Sequence, residues 1–246
     1  MICAYRTRWF SLAVLGLAVC CWVPAARAQV VLTGWTFETV TVSSTAGTAP
    51  NVTAGGSGAN INSDQGTVAG TATALHASAL TVYSTPSGNG STKSLSSNNW
   101  AINDYYQFST STTGQTGIQL LFDATSSGTG PAGFKVSYST DGGSTFADLA
   151  GGTYTNSSAA SFSPGTTLTT TPPRQFFDGG GAFDNVASLV VRLVDTTAPG
   201  GAAGTSRVDN FEIGQNLAPV PEPTSFALVG GVAVVGLYRR LRRKSA

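Results

Sequence analysis

The sequence predicts an all-β protein, one β-sandwich flanked by an N-terminal signal peptide and a C-terminal transmembrane helix. Three observations lead there. From Gln29 to Gly214 the apolar residues do not keep the 3.6-residue period of an amphipathic helix, whereas short runs of strict alternation recur. Clusters of Gly, Pro, Asp and Asn punctuate those runs. Each end carries an uncharged apolar stretch beside cations, unlike anything in between.

Residues 1–28 read as the signal peptide. Arg6 and Arg8 lie in a basic first segment, Ser11 to Val23 is uncharged and mostly apolar, and Ala26-Arg27-Ala28 is a small-x-small cleavage site, so the mature chain begins at Gln29. All three cysteines, Cys3, Cys20 and Cys21, precede that site. The exported body then has no thiol for a disulfide, a thiolate metal site or a cysteine nucleophile. Its charge differs from that of the whole chain, which is +1: Lys93, Lys135, Arg174, Arg192 and Arg207 are five cations against eleven acids, a net −6. This excludes nucleic acid as a partner, because phosphate backbones are held by concentrated Lys and Arg.

Within residues 29–214 the expected strands follow in order. Gly34 to Val40 comes first. Residues 43–70 are almost wholly small and polar and are expected as a loop or a disordered segment, since so little apolar mass cannot offset the entropy of ordering. Ala79 to Tyr83 and Ala101 to Phe108 come next. In Gly117 to Phe122, Ile118, Leu120 and Phe122 face one way; in Gly133 to Ser139, Phe134, Val136 and Tyr138 do so. Ala187 to Asp195 is apolar on both sides, as in a central strand, and Arg207 to Ile213 closes the set. Turn chemistry separates them at Pro86 to Gly90, Ser126 to Pro131, Asp141-Gly142-Gly143 and Pro199-Gly200-Gly201. About eight strands without an internal repeat suit a single jelly-roll-like β-sandwich.

Residues 215–223 form a linker that contains Pro221-Glu222-Pro223, residues 224–241 the transmembrane helix and residues 239–246 a basic cytoplasmic tail. The uncharged run from Thr224 to Tyr238 would reach roughly 22 Å as a helix, short of an apolar bilayer core of about 30 Å. Leu241 and snorkelling arginines narrow the gap. Arg239, Arg240, Arg242, Arg243 and Lys244 mark the end that stays inside, which puts the body outside. The prolines around Glu222 keep that segment extended, in the form a protease-like enzyme can thread. This order of Pro-Glu-Pro, short glycine-bearing apolar segment and arginine cluster resembles the PEP-CTERM sorting signal of Gram-negative bacteria, recognised by the membrane enzyme called exosortase. The resemblance implies that Pro221, Glu222 and Pro223 are the recognition residues. It also implies an inner-membrane-anchored intermediate, cut near the motif and passed to the outer envelope or the extracellular space, often glycosylated.

The body has its own likeness. Trp35-x-Phe37, Tyr105-Tyr106-Gln107-Phe108, Leu120-Leu121-Phe122-Asp123, Phe134 to Ser139 with Asp141-Gly142, and Arg207 to Ile213 are similar to jelly-roll bodies of many PEP-CTERM proteins, which in turn resemble carbohydrate-binding sandwiches. Extracellular polysaccharide is the partner this implies. Sandwiches of this type can hold a structural calcium near their terminal strands, for which Glu38, Asp209 and Glu212 are candidate ligands; no other cofactor is expected. Sugar rings stack on exposed aromatic faces, for which Trp100, Tyr105, Tyr106 and Tyr154 are candidates. Adjacent Tyr105 and Tyr106 point to opposite faces of a strand, so only one of them can be core.

Two motifs read as structure rather than chemistry. Ser139 to Phe146 resembles the Asp-box of sialidase propellers, with Phe146 in place of the usual Trp, but one copy makes no propeller and Asp-Gly between alternating strands is a hairpin signal. His76 is the single histidine, has no acid or nucleophile beside it in sequence, and is expected at a surface or strand position. Metal sites built from His and Cys are excluded by number. The function expected is a non-catalytic structural or carbohydrate-binding module of an extracellular matrix. The alternative is a secreted polysaccharide-degrading enzyme, which needs two carboxyl groups facing each other across a groove.

Overall fold

The computed structural model describes residues 28–39, 51–52, 61–156, 158, 162 and 174–217. The expected signal peptide, apart from Ala28, the Pro-Glu-Pro motif, the expected transmembrane segment and the basic cap lie outside the described residues. Among the described residues no helix is long and apolar enough to cross a membrane.

Fourteen strands run among the described residues. The first seven are β1 (Val30–Trp35), β2 (Asn51–Val52), β3 (Ile61–Asn62), β4 (Gln65–Gly66), β5 (Thr71–Leu75), β6 (Tyr83–Ser84) and β7 (Leu95–Ser97). The rest are β8 (Tyr105–Thr110), β9 (Ile118–Ser126), β10 (Gly133–Ser139), β11 (Ala147–Thr155), β12 (Arg174–Asp178), β13 (Leu189–Asp195) and β14 (Ser206–Gln215). They make two seven-stranded sheets, which bears out the all-β sandwich expected from the alternation. The first sheet has the order β12-β9-β14-β1-β4, with β7 beside the opening residues of β14 and β6 beyond it. The second has the order β11-β10-β13-β8-β5-β2, with β3 also on β5. From β8 onward the chain passes from one sheet to the other between β8 and β9, β9 and β10, β11 and β12, β12 and β13, and β13 and β14.

The alternating positions turn inward and meet as aromatic rings. Phe108 of β8 lies flat on Phe211 of β14, centroids 3.5 Å apart and planes 4° from parallel, so this pair joins the two sheets. Trp35 of β1 stands edge-on to both rings, at 5.2 and 5.9 Å. Each such pair adds about 0.5–1.5 kcal/mol beyond the area it buries. With one face of every long strand taken by this core, the residues between must face outward. That outer face, on the second sheet, is where the candidate site lies.

Within residues 43–70 the structure describes 51–52 and 61–70, and these depart from the expected loop or disordered segment. Three short strands, β2, β3 and β4, fall within that span. Ile61 is fully buried, and its carbonyl accepts the Trp35 indole N–H at 3.1 Å. Ile61, the partly buried Val68 and pairing with β1 and β5 hold residues 61–68 in place, which local composition does not register. The expected strand Ala79 to Tyr83 contracts to β6, while β5, β11 and β12 had no strong local signal. In β11 two glycines, Gly151 and Gly152, interrupt the alternation where the register with β10 shifts between Lys135 and Ser137.

Candidate functional site

Four neighbouring strands of the second sheet carry a polar and aromatic row on their outer face. Register places Gln107 of β8 opposite Arg192 of β13, Arg192 opposite Ser137 of β10, and Ser137 opposite Asp148 of β11. The row alongside runs Tyr105, Val194, Lys135. Together with Asn103 and Phe146 these residues, Gln107 apart, line a groove of about 550 Å³. The Arg192 guanidinium sits between two rings, its Cζ 4.0 Å from the centroid of Tyr105 and 3.6 Å from that of Phe146. Its Nε–H donates to Gln107 Oε1 at 2.8 Å. Burial pulls the Arg192 pKa down, and nearby Tyr105 acts the other way. Beside it Lys135 Nζ donates to Asp148 Oδ2 at 2.9 Å and Ser137 Oγ to Asp148 Oδ1 at 2.6 Å. Those two donors hold the Asp148 carboxyl below its usual range, Ser137 contributing most.

Phe146 reaches the groove from the hairpin that resembled an Asp-box. Asp141 accepts the Ser139 hydroxyl at 2.6 Å and the Thr145 hydroxyl at 2.6 Å, as well as the backbone N–H groups of Ser144 and Thr145. These bonds hold its carboxyl well below the usual range, the Ser139 hydroxyl first among them. Gly142 and Gly143 take φ of +74° and +97°, left-handed values that a side chain disfavours. The motif is a turn, and its last residue is delivered to the groove.

Of the four aromatic residues proposed for sugar stacking, Tyr105 alone lies on that face. Trp100, Tyr106 and Tyr154 are 4%, 1% and 9% exposed, and their polar atoms or rings are engaged inside. The Trp100 indole donates to Ser97 O at 2.9 Å, and Tyr154 stacks on Phe134 with centroids 5.5 Å apart. Tyr106 OH donates to Ser206 O at 2.8 Å. The groove residues that sequence reasoning missed are Phe146, Arg192, Lys135, Ser137 and Asp148, with Asn103 and Val194 beside them.

His76 is likewise not a surface residue; it is fully buried. Its ring packs on Trp100 at 4.2 Å and edge-on to Tyr83 at 5.4 Å. Nε2 is 3.2 Å from Ser97 Oγ, which is 2.7 Å from Tyr106 OH. Because Tyr106 gives its one proton to Ser206, Ser97 donates to Tyr106, and the imidazole Nε2–H donates to Ser97. Nδ1 then stands bare, 3.3 Å from Asp104 Oδ2 and without a hydrogen bond. Burial lowers the His76 pKa to about 4, so the ring is neutral at pH 7. Burial also raises Asp104, against the pull of the Ala77 and Ala101 N–H groups. A serine, a histidine and an aspartate thus come together, but each is buried and the serine hydroxyl is committed to Tyr106. The cluster braces loops.

The carboxylates proposed for calcium do not converge. Glu38 takes the N–H groups of Thr92 and Lys93 and the Thr92 hydroxyl. Asp209 Oδ2 takes the Asn89 N–H and the Ser91 hydroxyl, both at 2.7 Å, while Glu212 takes the side-chain amide of Gln29 at 2.8 Å. Among the described residues no group of three or more His, Cys, Asp or Glu is arranged to hold a metal. Calcium wants about six to eight oxygen ligands, and these oxygens already face N–H and O–H donors. The cation beside them is Arg174, which forks onto Asp123 at 2.9 and 3.1 Å. Asp123 is the cross-strand partner of Asp209 and also accepts the side-chain amides of Asn89 and Asn210. Burial pushes Asp209 up to about 7, opposed by its hydrogen bonds.

The comparisons with known proteins fit the sequence reading of the tail. Residues 219–244 match the PEP-CTERM protein-sorting motif. That motif implies an exported protein sorted at the membrane by exosortase. No curated protein matches the chain. Among solved structures, the chain is similar to the K1 cleaved adhesin domain of Lys-gingipain from Porphyromonas gingivalis, at 12% identity over 55% of this chain and 83% of that one, with a TM-score of 0.37. It is similar to the CBM22-1–GH10 modules of a Clostridium thermocellum endo-1,4-β-D-xylanase complexed with xylohexaose, at 13% identity over 79% of this chain and 30% of that one, TM-score 0.38. A third likeness is to carbohydrate-binding modules of the β-sandwich superfamily, at 13% identity over 76% of this chain and 63% of that one, TM-score 0.39.

Proposed function

We propose that this protein is delivered by an exosortase-type enzyme to the outer envelope or the extracellular matrix, where its sandwich binds polysaccharide without cleaving it. The observation that carries the binding reading is the groove in which Tyr105, Phe146 and Arg192 sit together among Ser137, Lys135 and Asp148, with Gln107 bonded to Arg192. Apolar rings beside fixed polar groups are what a sugar surface needs: the rings cover C–H faces and the polar groups take hydroxyls. An extended groove on a sheet, with four strands holding its lining in register, suits a chain ligand. Paired-carboxylate hydrolysis has less to rest on, because Asp148 is the one carboxylate among the lining residues and is held by Lys135 and Ser137.

The test is affinity electrophoresis of the full chain, purified in detergent, through gels containing soluble acidic and neutral polysaccharides. Retardation by at least one polymer, lost in Tyr105→Ala and Phe146→Ala, is expected. Retardation that both substitutions leave intact would move binding elsewhere, and release of reducing ends from the polymer would replace binding by catalysis.

A further inference from the structure

We infer that the groove selects a carboxylate-bearing polysaccharide and that Arg192 is the residue that reads the carboxylate. This rests on the polysaccharide reading above. Of the three charged residues that line the groove, Lys135 and Asp148 neutralise each other as an ion pair. Arg192 has no carboxylate partner among the described residues, and only its Nε–H is engaged, on Gln107. A guanidinium with a ring on either side can be approached only in its own plane. The hydrogens on its two Nη atoms are therefore offered edge-on, the geometry in which Arg takes a planar carboxylate through two parallel bonds.

The same rings leave a neutral sugar only what each turns away from Arg192. Tyr105 and Phe146 each turn a face to Arg192, so those faces are closed to pyranose stacking. The groove is also locally cationic within a body of net −6, where a cation held partly out of water by two rings keeps a stronger field than one on the open surface. A polyuronate meets both features: a carboxylate on each residue for Arg192, and ring hydroxyls for Ser137 and Asn103 at the groove wall.

Isothermal titration of the full chain with tetragalacturonate and with neutral cellotetraose tests this. Tetragalacturonate is expected to bind at least about tenfold more tightly, the scale of one charge-assisted pair. Arg192→Gln should erase the preference. Asp148→Asn, which leaves the ring clamp in place, should raise the affinity for tetragalacturonate and not for cellotetraose; thermal unfolding of each variant shows that the fold is intact. Equal affinities for the two sugars, with both variants behaving as the parent does, overturn the carboxylate assignment while polysaccharide binding stands. Failure of the parent chain to bind any acidic or neutral polymer in the electrophoresis overturns both.

Discussion

The protonation of His76 gives the most direct check on the interior of the sandwich. The ring is fully buried against Trp100 and Tyr83, and the only charged group near it is Asp104, beyond hydrogen-bonding geometry from Nδ1. Its pKa falls from 6.5 to about 4 because burial penalises the imidazolium. The unfolded chain accepts the proton near 6.5 and the folded one does not until about 4. The stability this difference supplies is therefore complete above pH 6.5 and is lost as pH falls toward 4. At about 1.36 kcal/mol per unit the full loss is about 3 kcal/mol. Asp104, Asp195 and Asp209 act in the opposite direction: burial raises each, so their contribution is present at low pH and lost as pH rises, through about 6 for Asp195 and about 7 for Asp209. Whole-protein melting mixes the two signs. Because the chain has a single histidine, one imidazole resonance reports the site without assignment work. Its NMR titration is expected to have a midpoint near 4, with the proton on Nε2 above it, and the stability gap between the parent and His76→Gln should narrow by about 3 kcal/mol between pH 7.5 and pH 4. A midpoint of 6 or higher, or a gap that does not move with pH, would refute the buried neutral ring.

The loop that Asp209 holds should be equally exacting. A Cβ on Gly88 would lie 2.0 Å from Ser91 Oγ, 2.1 Å from Lys93 O and 2.3 Å from Asp209 Oδ2, so Gly88→Ala is expected to cost about 2–4 kcal/mol in urea unfolding. Asp123→Ala removes the partner of Arg174 and the acceptor of two side-chain amides, for an expected loss of about 3–5 kcal/mol, whereas Asp148→Asn on the surface should change stability by under about 1 kcal/mol. Calcium added to 5 mM, an amount chosen on the order of extracellular affinities, should leave the thermal midpoint where a chelator leaves it; a rise of several degrees would restore Glu38, Asp209 and Glu212 as ligands.

Alternation carried much of the fold into view, because a residue every second position must choose between core and water. It marked β8, β10 and β13 and required Tyr105 and Tyr106 to part company. It could not say that Trp100 and Tyr154 go inward, since an aromatic side chain is suited to either place until its neighbours are known. Arg192 was legible in hindsight. A lone cation in Leu189-Val190-Val191-Arg192-Leu193-Val194 cannot enter the sandwich unpaired, so the apolar reading of both faces should have singled it out as the outward residue. His76 carried no comparable sign. Its partners Tyr83, Ser97, Trp100, Asp104 and Tyr106 come from three other segments, and small residues on either side of it look the same at a surface as in a tightly packed corner. The short strands within 43–70 were hidden for a related reason: their order comes from β1, β5 and the Trp35 indole, not from their own composition.

The central proposal is that the motif at 219–244 holds the exported sandwich at the inner membrane until an exosortase-type enzyme cuts the tail away. Intact-mass measurement of the protein recovered from its native host, beside a Glu222→Ala variant, tests it. The account requires a mature chain that starts at Gln29, ends near Pro221 to Pro223 and is found beyond the inner membrane, with the variant retained in that membrane at its longer mass. A full-length chain dissolved in the cytosol, or a variant processed as the parent is, contradicts it.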